Sequence, residues 1–149
     1  MRALLGNCVP IPTEIRGPGD AIGALHRLLK RTANLYFRPR DIADDLIALR
    51  RIYRDDDAYT AALVAFWKEI RRALRDREHY GGTDGELRRD LAGVRRSRFP
   101  PEGRRDAALR LLMRPYRDGV QIIALRHRLD PPGMYRLAVQ RLYEIVADE

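Results

Sequence analysis

Residues 119–129 read GVQIIALRHRL, and the fold class turns on how this stretch is taken. Its length and its β-branched Val120, Ile122 and Ile123 suit a buried strand. A strand needs a ladder partner, and an unpaired one is not stable in water. With no second strand legible beside it, the stretch reads as a helix. Downstream, DPPG at 130–133 leads into a last helix with Tyr135, Val139, Leu142 and Val146 spaced for one face. Upstream, RRDAALRLLM at 104–113 reads as a helix interrupted by Pro115, with a wide apolar arc over Ala108, Leu109, Leu111, Leu112 and Met113. An arc that wide marks central burial or a partner contact, so Leu109, Leu111, Leu112 and Met113 are the candidate partner-binding residues.

The remaining periodicity is helical too. Asp20 is placed to cap a first helix to about Tyr36, with Ile22, Leu25, Leu29, Ala33 and Tyr36 down one side. Asp41 is placed to cap a second, carrying Ile42, Leu46, Leu49 and Tyr53 inward. The run Asp55–Asp57 precedes a third helix, about 58–77, with Tyr59, Leu63, Phe66, Trp67, Ile70 and Leu74 as its stripe. There the acids serve as cap and dipole partners rather than as a metal site. Thr83 and Glu86 form a capping-box pattern for a fourth helix, with Leu87, Leu91 and Val94 facing in. The expected fold is all-α: one compact bundle of about six helices over 20–149, joined by short Pro/Gly turns. Residues 1–19, with Pro10, Pro12, Gly17, Pro18 and Gly19, read as an extended N-terminal arm.

A length of 149 residues suits a single domain. The net charge of +8 points to an anionic partner, nucleic acid ahead of membrane. Lys30 and Lys68 are the only lysines, so the charge is carried by arginine, whose planar fork grips phosphate with two bonds at once. It is also segregated. Residues 41–67 hold three Arg against six Asp, whereas 68–98 hold ten basic residues against six acidic ones.

On a helical wheel, Arg27, Lys30 and Arg31 lie opposite the core of the first helix, with Asn34 beside them. Lys68, Arg71, Arg72, Arg75 and His79 do so on the third, and Arg88, Arg89, Arg95 and Arg96 on the fourth. These basic faces are the candidate nucleic-acid-binding residues. Tyr36, Phe37, Tyr80 and Phe99 stand beside arginines and offer rings on which unpaired bases stack, which favours single strands. Solubilising charge paired with acids four residues away is the ordinary alternative.

Catalytic material is thin. Arg72 and His79 match the R-x6-H spacing and so resemble the ribonuclease motif of the HEPN family, which implies cleavage of an RNA backbone. In an arginine-rich chain chance alone supplies such a pair, and here it falls at a helix end. His26, His127, Cys8 and Ser97 form no metal-ligand or nucleophile spacing, so no metal, cofactor or enzyme activity is expected. A lone cysteine fits a reducing compartment, and no run approaches the ~20 apolar residues of a membrane span. The cytoplasm is therefore the expected location.

In size and in basic faces such as RRALR and RRDLAGVRRSR, residues 20–146 are similar to the small helical subunits of CRISPR effector ribonucleoproteins. That resemblance implies partners: RNA or single-stranded DNA backbone, larger protein subunits, and copies of the chain itself. The function expected is a non-catalytic subunit that holds phosphate backbone on arginine-rich helical faces. An adaptor of phage or toxin–antitoxin type gripping an acidic protein is the second reading. A helix-turn-helix regulator is the third.

Overall fold

A computed structural model describes residues 18–77, 93–130 and 133–148, and it shows an α/β fold, not an all-α bundle. The elements are α1 (Pro18–Arg31), β1 (Leu35–Tyr36), α2 (Pro39–Ile52), α3 (Asp56–Arg75), β2 (Arg95–Phe99), β3 (Leu109–Tyr116), β4 (Gly119–His127) and α4 (Met134–Asp148). The strands form one mixed sheet in the order β1-β4-β3-β2, with β1 parallel to β4 and the other neighbours antiparallel. The expected arm over 1–17 and the expected fourth helix over 83–92 lie outside the described residues.

The stretch read as a lone helix is β4. Its partner is the segment immediately before it, since RRDAALRLLM supplies β3 and not a fifth helix. Arg117 and Asp118 make the hairpin turn, with Tyr116 opposite Gly119 and Arg117 at φ 50°. A slip in register explains why the strand pattern is hard to see. Leu112 pairs with Ala124 but Met113 pairs with Ile122, so Ile123 is an extra, bulged residue. Ile123 and Ala124 consequently face the same side, while Val120, Ile122 and Leu125 face the other. Alternation is broken in the middle of the strand, and both faces are covered, so the run is apolar almost throughout.

Two cores result. Leu25 and Leu29 of α1, Ile42, Leu46 and Leu49 of α2, and Leu63, Phe66, Trp67 and Ile70 of α3 pack on one face of the sheet. Of the inner faces read for the second and third helices, Ile42, Leu46, Leu49, Tyr59, Leu63, Phe66, Trp67 and Ile70 are buried, and Tyr53 and Leu74 are half-buried at the edge. Asp55 caps α3, accepting from the Ala58 amide at 3.0 Å. On the other face α4 packs against Val94, Leu112, Ile123 and Ala124. It does so through Ala138, Leu142 and Ile145, leaving the expected stripe members Tyr135 and Val146 exposed.

A buried carboxylate ties the layers together. β1 pairs only with Val120 and Gln121, so farther along β4 the ladder on that side is open. Asp45 of α2 closes it, taking the Leu125 N–H on Oδ2 at 2.9 Å. The same carboxylate accepts from Arg126 Nε at 2.7 Å and from both Arg141 Nη atoms at 2.7 and 2.8 Å. Arg141 lies on α4 and also donates to the Ile123 carbonyl at the bulge, 3.0 Å away. Burial drives the Asp45 carboxyl above its ordinary value, and the Arg141 and Arg126 guanidiniums act in the opposite direction.

Gly119 is required for a different reason. The Val120 N–H donates to Asn34 O at 3.0 Å, and a Cβ on Gly119 would fall 1.7 Å from that same oxygen. Two outcomes follow from these contacts. Asp45→Ala leaves the buried Arg141 with only Asp41, 3.7 Å from its Nε, as counter-charge and lowers stability by about 3–5 kcal/mol in a denaturant titration. Gly119→Ala pushes β1 off the sheet at a cost of about 1–3 kcal/mol, and hydrogen exchange registers the loss at the Val120 amide first.

Candidate functional site

The helical cations expected to hold phosphate are found in three situations. Arg88, Arg89 and His79 lie outside the described residues. Arg27, Lys30 and Arg31 on α1 are exposed, as are Lys68, Arg72 and Arg75 on α3, and Arg71 is half-buried. On α3, carboxylates take up much of that charge. Lys68 pairs with Glu102 at 2.6 Å, Arg72 with Glu69 at 3.7 Å and Arg75 with Asp76 at 3.5 Å.

Arg95 and Arg96 stand on β2 rather than on a helix, and strand alternation sends them to opposite faces. Leu109, Leu111, Leu112 and Met113 are fully buried in β3 and present no surface to a partner. Phe99 packs on Phe66 with ring centres 5.2 Å apart, and Phe37 meets His26 at 5.8 Å.

One cluster of cations without a carboxylate partner among the described residues sits on the sheet. Register places Arg98, Arg110 and Arg126 in one row across β2, β3 and β4, with Arg96 in the next row opposite Leu112. All four share the face that carries α4. Neighbouring strands run about 5 Å apart, and alternate residues along a strand are about 7 Å apart, so the row is dense in charge. Arg126 is neutralised by Asp45 and by Asp130, each at 2.7 Å. For Arg96, Arg98 and Arg110 no carboxylate lies within ion-pair distance among the described residues.

Their geometry is held by other means. Arg110 Nη1 donates to the Ala107 and Leu109 carbonyls at 2.6 and 2.9 Å. Arg96 lies over the Tyr135 ring, 5.8 Å from its centre, and bonds to the Tyr135 hydroxyl. Burial, and after it the charges of Arg98 and Arg96, hold the Arg110 guanidinium below its ordinary value. Three like charges with no carboxylate partner among the described residues have the chemistry to pair with an anion that offers several acceptor oxygens. Tyr135, 40% exposed, sets a ring beside it.

Arg98, Arg110 and Tyr135 were missed by helical-wheel reasoning. The signal for two of them is present in the alternations R-S-R at 96–98 and L-R-L at 109–111. A second group of cations and rings lies at the hairpin end of the sheet. Arg117 covers Tyr116 at 5.2 Å and Tyr36 at 5.8 Å, and the Tyr36 hydroxyl donates to Asp118 at 2.5 Å.

Among the described residues no group of three His, Cys, Asp or Glu is placed to hold a metal, and no helix is long and apolar enough to cross a membrane. The chain matches no protein-family model, no curated protein and no solved structure.

The titrating histidines bear on stability. Burial holds His26 and His127 below their ordinary value, with Lys30 adding to the effect at the first and Arg128 at the second. A histidine depressed in the folded chain leaves stability complete above the unfolded value near 6.5, and stability is lost as pH falls below it. Thermal melts between pH 7 and 5 therefore show falling midpoints. His127→Asn, whose amide oxygen can replace Nδ1 as acceptor for Leu129 N–H, flattens part of that slope.

The arginine cluster has its own signature. Inorganic phosphate raises the melting temperature more than chloride does at equal ionic strength. Arg98→Ala abolishes the difference.

Proposed function

We propose that this chain binds the phosphate backbone of a single-stranded RNA or DNA without acting on it, and that Arg96, Arg98 and Arg110 are the centre of that surface. The observation that carries the reading is a group of three guanidiniums, Arg96 and Arg110 half-buried and Arg98 exposed, with no carboxylate partner among the described residues. Guanidiniums do not exchange protons near neutral pH, so such a group suits holding an anion and not acid–base chemistry. Arg96 on the Tyr135 ring places a cation and a flat face side by side, the pairing that favours unpaired bases.

The exposed cations of α1 and α3 lie with the other core, on the far side of the sheet, and contribute long-range attraction. Assembly with larger protein subunits, or with further copies of the chain, rests on size and basic surface alone. The sheet removes the helical class that the likeness to CRISPR small subunits also used. The ribonuclease reading has Arg72 beside the Glu69 carboxylate, with His79 outside the described residues.

The test is retention of a random single-stranded RNA across a salt series. Binding falls steeply with salt, by about 0.7 in log–log slope for each phosphate neutralised. Arg98→Glu and Arg110→Gln each weaken retention and lower that slope, whereas Arg75→Glu has a smaller effect. Equal losses from all three variants would return the site to diffuse charge. Retention of an acidic protein but of no nucleic acid would favour the adaptor.

A further inference from the structure

A second concavity lies at the end of the sheet, where α2 stops, α3 starts and the loops after β2 and β4 meet. Its volume is about 330 Å³, within the usual range for a small-molecule site. Ile52, Pro101 and Leu129 supply apolar wall, and Leu129 stands 68% exposed at its lip. Tyr53 and His127 line it with ring centres 5.4 Å apart and planes at 72°. An apolar, aromatic slot of this kind takes a flat ring.

Its polar groups are of one kind. His127 Nδ1 accepts the Leu129 N–H at 3.0 Å, so the neutral ring carries its proton on Nε2 and has a donor left over. Tyr53 adds a hydroxyl, and Arg104 an exposed guanidinium. Asp106 is the one carboxylate in the lining, and both its oxygens are taken by Arg128 at 2.6 and 2.7 Å. That pair cancels itself and leaves the charge of Arg104 unopposed within the groove.

We propose that this groove binds one planar aromatic ring bearing an anionic group, with the ring against Tyr53 and His127 and the anion on Arg104. The site is independent of the polyanion surface. His127 pairs with Leu109 and faces the α1–α3 side of the sheet, whereas Arg96, Arg98 and Arg110 face α4. Two sources share the required chemistry: a nucleoside monophosphate and a free aromatic carboxylate.

The experiment is an NMR and calorimetric titration of the full chain with uridine monophosphate, adenosine monophosphate and benzoate, with inorganic phosphate as control. At least one ring-bearing probe is expected to saturate and to shift the His127 ring and Leu129 amide signals. Inorganic phosphate leaves these signals in place. Which probe saturates tells nucleotide from carboxylate.

Arg104 is exposed, so Arg104→Ala leaves the fold intact. It weakens the bound probe about tenfold or more, the loss expected for one charge-assisted group. Arg98→Glu leaves that affinity unchanged while reducing RNA retention, which separates this site from the first. The inference is overturned if no ring-bearing probe binds at millimolar concentration, if Arg104→Ala binds as the parent does, or if the shifts map to Arg96 and Arg98 instead.

Discussion

Asp45 has no exposed surface, yet it is a carboxylate, and the cost of burying it is met by four N–H donors from three residues of two other elements. It serves as backbone and as ion at once. One oxygen takes the Leu125 amide that β1 is too short to reach, and the pair of oxygens holds the Arg141 fork. Because Arg141 also binds the Ile123 carbonyl, the bulge in β4, the position of α2 and the docking of α4 are fixed by one network. Removing one member leaves the others charged and buried, so the layers are coupled rather than stacked.

That network also sorts the arginines. Arg126 stands in the same row of the sheet as Arg98 and Arg110, but Asp45 and Asp130 consume its charge. Arg128, two residues on, is consumed by Asp106. Among the cations without an ion pair to a described residue are Arg96, Arg98 and Arg110, which share one face, and Arg104 in the groove at the sheet's end. Recognition of phosphate by forks needs guanidiniums that are close together and free of carboxylates, and among the described residues Arg96, Arg98 and Arg110 meet both conditions.

The helices with distinct polar and apolar faces are readable from spacing: α2 and α3 bury most of the residues their periodicity names, Tyr53 and Leu74 being half-buried, and Asp55 caps where an acid before an apolar run should. The sheet was not readable, for two physical reasons. A strand covered on both faces loses its alternation, and the bulge at Ile123 sets Val120, Ile122 and Leu125 at spacings of two and three, close to a helical pattern. Taken alone, GVQIIALRHRL has no legible strand partner, because the partner is the adjacent segment, whose own spacing reads as a helix. With β3 taken as helix, Leu109, Leu111, Leu112 and Met113 became a contact surface instead of the centre of the fold. A helical wheel likewise cannot show that Arg98 and Arg110 are neighbours across a ladder.

By itself the sequence determined a strongly basic, arginine-borne charge, two amphipathic helices in their correct places, and the scarcity of nucleophiles and metal ligands. These are local or compositional properties, settled within a few turns of chain. Only the tertiary structure decided which arginines keep their charge, because pairing depends on residues as far apart as Asp45 and Arg141. It also decided that two apolar runs are strands, because a ladder is a property of two segments and neither contains it alone.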